Sequence, residues 1–145
     1  MTTETKVNPP KWFWIVSVLA LLWNVMGVFA YLAQAFMSIE ALEAMSQAER
    51  ALYESQPAWV TAAFAIAVWA GLLGCILLLI RKKLAKTVFV ISLLGVLAQT
   101  TYNFFLSNTF EVYGTGAMAM PIMILVVSVL LVLFSNRAID KNWLS

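Results

Sequence analysis

The sequence predicts an all-α membrane protein, an antiparallel bundle of four transmembrane helices with a short amphipathic extracytoplasmic helix in its first loop. Three observations lead there. Of the 145 residues, 63% are hydrophobic and only 11% are charged, against about 25% charged in a soluble domain. The apolar residues gather in four long runs. The Lys and Arg residues fall almost entirely in alternate links between those runs. An ordinary soluble domain, a disordered tail, a coiled coil and a nucleic-acid-binding module are excluded on this composition.

The first run extends over 12–37, with no charge between Lys11 and Glu40. The second covers 57–80, the third 84–106 and the fourth 116–135. A bilayer core of about 30 Å needs about 20 helical residues, and every run supplies them. The first exceeds the need, so it tilts or projects beyond the lipid. It is also far longer than the apolar region of about 7–15 residues in a signal peptide. Four such runs cannot be buried inside one small soluble domain, because no polar layer remains to cover them. Residues 1–145 therefore read as a single membrane domain, with an outer loop at 38–56 and a cytoplasmic turn at 81–86.

Charge gives the direction. Arg81, Lys82, Lys83 and Lys86 crowd the link between spans two and three, whereas the first loop holds Glu40, Glu43, Glu49, Arg50 and Glu54. In an up-and-down weave, eight of the nine Lys and Arg residues share one side. The positive-inside rule assigns that side to the cytoplasm, with both termini. The expected location is the inner (cytoplasmic) membrane. Trp12, Trp14, Trp59 and Trp143 stand near span ends, where an amphipathic ring suits the headgroup layer; Tyr53 and Tyr113 do the same from the loops.

In the first loop, Ser46 and Glu49 have capping-box spacing and predict a short helix over 47–54. Its apolar stripe is Ala48, Ala51 and Leu52. The first helix has the composition to continue through Ala44. Pro57 suits the first turn of the second span. Gly114 and Gly116 mark a break before the fourth, and a helix starting at Gly116 would be bent by Pro121.

Polar residues at membrane depth are the main functional signal. Asn24, Gly27, Tyr31 and Gln34 share one face of the first span, with Ser17 about two turns before Asn24. Ser92, Gln99 and Asn103 share a face of the third, beside Thr100 and Tyr102. Amides facing hydrocarbon lack partners, so both faces should look into the bundle. Two readings follow. In one, the groups bond to each other and hold the helices together, at roughly 1 kcal/mol per interaction. In the other, Tyr31, Gln34, Gln99, Tyr102 and Asn103 line an outward-opening vestibule for a small neutral solute. Asn24 then forms the floor, and Thr61 and Met118 the rim. Uncharged amides and aromatic rings suit a hydroxylated ligand.

The rest of the chain is plainer. Ala63, Ala67, Gly71 and Gly74 form a small-residue stripe on the second span that lets another helix approach closely, whether the first span, the third or a second copy. Cys75 beside it reads as a small core residue. The fourth span is a lipid-facing wall whose Ser128 can bond one turn back on its own helix.

The sequence has no His, and its spans carry no acidic residue. This argues against an enzyme, a metal site, a cofactor and an ion-coupled transporter. Three roles stay open. They are an accessory subunit or small-ligand-binding protein, a transporter or oligomeric channel component for a neutral solute such as a sugar, and a purely structural assembly factor. The expected partners are the lipid bilayer, a small neutral ligand, and either a second copy or a larger membrane complex; no nucleic-acid partner is expected. The pattern Trp23–Asn24 with Gly27, then Trp59, then Gln99 with Tyr102–Asn103 resembles a group of small bacterial inner-membrane proteins of uncharacterised function. Some of these carry a "sugar transporter" label, and the resemblance implies the same four-helix topology and a sugar-like ligand.

Overall fold

In a computed structural model, residues 7–107 and 109–145 are described; Lys6, one of the nine Lys and Arg residues counted above, lies outside them. The helices are α1 (Lys11–Ala35), α2 (Ile39–Ala44), α3 (Gln47–Ser55), α4 (Ala58–Leu79), α5 (Leu84–Thr101), α6 (Thr109–Tyr113) and α7 (Ala119–Asp140). A π-helical turn, Tyr102–Leu106, continues α5, and a 3-10 turn, Thr115–Met118, leads into α7. No strand occurs among the described residues. Four helices are long and apolar enough to cross a membrane: α1, α4, α5 with its π turn, and α7. The chain is an all-α, four-helix membrane protein.

Local chemistry sets the breaks. α1 does not continue through Ala44 but ends at Ala35, because Ser38 starts a new helix by accepting the Ala41 amide at 3.1 Å. Ser46 does the same for α3 through the Glu49 amide at 3.2 Å. Each cap is followed by a Glu in the first turn, where the helix dipole favours a negative charge. The Tyr53 hydroxyl then donates to the Gln34 carbonyl at 2.9 Å, satisfying an acceptor left open at the end of α1. That bond folds α3 back over α1.

The last span begins at Ala119, after the 3-10 turn, and runs on to Asp140. This start places Pro121 in the first turn, whose amides have no intrahelical partner in any case. The bend expected at Pro121 therefore has no cause.

The spans pack in series, α1 on α4, α4 on α5 and α5 on α7, while α1 and α7 have no comparable backbone packing. The small-residue stripe of α4 explains the close pairs. A Cβ on Gly95 of α5 would lie 2.8 Å from the Ala63 carbonyl oxygen and 2.9 Å from the Ala67 nitrogen, so only Gly permits this approach. The Phe89 ring covers Gly74, and the Asn24 side chain of α1 fills the notch at Gly71. Of the partners the stripe left open, α5 and α1 occupy it.

One end of the bundle carries Val7, the C-terminal tail and the basic turn. Arg81, with φ 60°, donates from Nε to the Trp143 carbonyl at 2.9 Å and from its terminal nitrogen to the Val7 carbonyl at 2.6 Å. Backbone bonds between Lys83 and Ser145 and between Ser145 and Arg81 complete the tie. Lys86 donates to the Asn136 side chain at 2.9 Å, joining α5 to α7. Trp143 is not a headgroup ring as expected. It is buried against Trp12 and Phe13, with ring centroids 5.3 and 5.6 Å away, because the tail folds inward on Arg81. The other end, the loop end, carries α2, α3 and α6.

Candidate functional site

At the loop end, the last turn of α1, helix α3, the end of α5 and Tyr113 of α6 enclose a cavity of about 510 Å³. Four residues singled out from the sequence meet there: Gln34, Gln99, Tyr102 and Asn103. Their convergence depends on two local features. The break after Ala35 brings α3 over the cavity, and the π turn sets Tyr102 and Asn103 beside Gln99. Such wide turns occur mostly as single insertions in α-helices.

The wall supplied by α3 differs from the expected one. Ala48 and Ala51 face outward, and the cavity is lined instead by Glu49, Leu52, Tyr53 and Gln56, a run at three- and four-residue spacing. Sequence reasoning missed Glu49, Tyr53 and Gln56 because it followed only the apolar side chains of this helix. Tyr113 also lines the cavity rather than simply marking the headgroup layer. Burial, with a smaller contribution from the Glu49 carboxylate, raises the Tyr113 phenol above its ordinary range.

The polar side chains fall into two groups. Some are satisfied inside the protein. Gln34 donates to Gln56 Oε1 at 3.4 Å, and Gln56 donates to Thr61 Oγ1 at 3.1 Å, a relay joining α1, the link before α4, and α4. Thr61 is thus a partner in this relay rather than part of a rim. Gln99, Tyr102 and Asn103 form the second group. Among the described residues their side chains have no hydrogen-bond partner, and none of their polar atoms is fully buried. Around them stand the rings of Tyr53 and Tyr113 and the single carboxylate of Glu49.

Two expected members lie elsewhere. Tyr31 does not line this cavity; its ring packs on Phe64 and Trp69 of α4, with centroids 5.5 and 6.5 Å away. The one-turn offset between Tyr31 and Gln34 carries the phenol onto the α1–α4 seam. Asn24 is not the floor. Its amide donates to the Ala20 carbonyl at 2.8 Å and to Cys75 Sγ at 3.3 Å, deeper in the bundle. Met118 is likewise absent from the lining.

Asn24 borders a second, inner cavity of about 260 Å³ among α1, α4, α5 and α7. Its polar atoms are largely used: Ser92 donates to the Ala67 carbonyl at 2.6 Å and Ser128 to the Ile124 carbonyl at 2.8 Å. Gln99 and Ala30 line both cavities, so the two adjoin. Ser17 is buried, its hydroxyl has no partner among the described residues, and it lines neither cavity. Comparison with protein-family models, with curated proteins and with solved structures finds no match for the chain.

Proposed function

We propose that this membrane protein binds a small uncharged, hydroxyl-bearing solute in the loop-end cavity. The observation that carries the reading is the open state of Gln99, Tyr102 and Asn103, which contribute amide and hydroxyl groups without spending them on each other. Helix-packing amides would be paired, as Asn24 is. An amide both donates and accepts, a carboxylate such as Glu49 accepts from a hydroxyl, and tyrosine rings give flat apolar contact. This combination suits a polyol or sugar, the chemistry implied by the sequence resemblance. The distribution of Lys and Arg supports an arrangement in the cytoplasmic membrane with both chain ends inside and this cavity opening outward.

The test is calorimetric binding of glucose and glycerol to the purified protein in phosphatidylcholine nanodiscs. Gln99→Leu combined with Asn103→Leu is expected to weaken binding at least about 30-fold, the loss of two hydrogen bonds of about 1 kcal/mol each. Helical content and thermal midpoint should stay close to those of the unsubstituted protein. Unchanged binding in the double variant, or no saturable binding of either probe to the unsubstituted protein, contradicts the proposal.

A further inference from the structure

The inner cavity is poorly suited to a polar solute. Apart from the partnered Asn24, Ser92 and Ser128, and Gln99 where it meets the loop-end cavity, its walls are largely apolar, including Phe64, Val68, Val96 and Leu131. It adjoins the loop-end cavity at Gln99 and Ala30. It is also open sideways: Met26 of α1 and Met120 of α7 line it yet are 66% and 56% exposed on the flank of the bundle. That opening lies on the seam between α1 and α7, whose backbones approach less closely than those of the other neighbouring spans. Along the same seam, Trp23, Val127 and Leu131 lead on into an apolar groove walled only by α1 and α7. A water-borne sugar needs neither a side entrance from lipid nor an apolar chamber beneath its polar groups. An amphiphile uses both.

We infer that the ligand carries an apolar chain: an amphiphile whose uncharged, hydroxylated head sits against Gln99, Tyr102 and Asn103, with the chain in the inner cavity between α1 and α7. The inference rests on the solute-binding reading above and specifies its ligand class. Entry is from the bilayer. The flexible side chains of Met26 and Met120 move aside at the mouth, the head passes Gln99, and the chain replaces lipid contact with the apolar walls. No bond is made or broken.

Octyl glucoside and glucose share a head and differ in the chain, so they serve as probes, applied to the full chain in phosphatidylcholine nanodiscs at concentrations that leave the discs intact. Ser128→Phe fills the inner cavity from a position whose hydroxyl bonds only within α7. It is expected to weaken octyl glucoside binding about tenfold or more, the contribution of roughly two buried methylene groups, while glucose binding stays unchanged. The Gln99→Leu, Asn103→Leu variant is expected to weaken both probes. If Ser128→Phe leaves octyl glucoside binding unchanged, the chain does not use the inner cavity and this inference fails, although the solute-binding reading survives. If the double amide variant affects neither probe, both readings fail. A second measurement needs no substitution in the core. In the unsubstituted protein, affinity corrected for partitioning into protein-free discs should rise from methyl to octyl glucoside. A flat series overturns the inference.

Discussion

Asn24 and Gln99 are both uncharged amides on membrane-spanning helices, and their surroundings differ. The Asn24 amide is committed to the Ala20 carbonyl and Cys75, and its side chain occupies the notch at Gly71. Replacing it with Leu removes two donors' worth of bonding and forces a bulkier group into a space open only because Gly71 lacks a Cβ. Asn24→Leu should lower stability by about 1–3 kcal/mol, measured by reversible unfolding in mixed micelles. Gln99→Leu loses no internal bond and should stay within about 0.5 kcal/mol of the unsubstituted protein. Equal losses would return Gln99 to the packing residues. Tyr113 offers a second check. With Glu49→Gln, its phenol should titrate at lower pH, because one of the two influences raising it is gone. Burial, the larger one, remains, so the return should be partial. Ultraviolet difference titration reads this directly, and an unmoved transition would separate Tyr113 from Glu49. That these amides face the interior of the bundle was legible from the cost of an unpaired amide in lipid. Which amide is paired was not, because the Cys75 and Gln56 partners depend on cross-helix register that spacing along one helix does not contain.

At the scale of elements, the long helices follow from apolar run length, and the Ser46 cap was readable because its bond is local. Two departures arose from competition between neighbours. Ser38 ended α1 early, and the 3-10 turn delayed α7 past Gly116. The π turn at Tyr102–Leu106 left no signature in the sequence pattern, and α3 turned its polar residues, not its alanines, toward the cavity. The packing of α4 on α5 gives a paired prediction. Gly95→Ala sets a methyl against backbone atoms of Ala63 and Ala67, which cannot swing aside as a side chain can. A loss of about 1–3 kcal/mol is expected. Gly116→Ala, whose Cβ would meet nothing within 4 Å, should be close to neutral in the same unfolding assay. Similar effects at both positions would deny that α4–α5 contact depends on the glycine.

Across the whole molecule, the series α1, α4, α5, α7 leaves the α1–α7 seam without close backbone packing, and side chains at the basic end join it. Phe13, Phe134 and Trp143 join α1, α7 and the tail there, while Arg81 ties the tail and Val7 to the α4–α5 turn. Trp143→Ala should therefore cost about 3 kcal/mol or more and loosen the basic end without weakening glucose binding at the other. Hydrogen exchange by mass spectrometry locates the change, and protection lost evenly along the chain would contradict this division. The claim on which the functional reading turns is that the loop-end cavity faces outward and the basic end faces the cytoplasm. Single cysteines at Glu43, Ala51, Lys82 and Ser145, with the native Cys75 buried, can be probed in intact cells by a membrane-impermeant maleimide. Glu43→Cys and Ala51→Cys should label in intact cells, and Lys82→Cys and Ser145→Cys only after permeabilisation. Labelling of all four in intact cells, or the reverse pattern, would contradict the account.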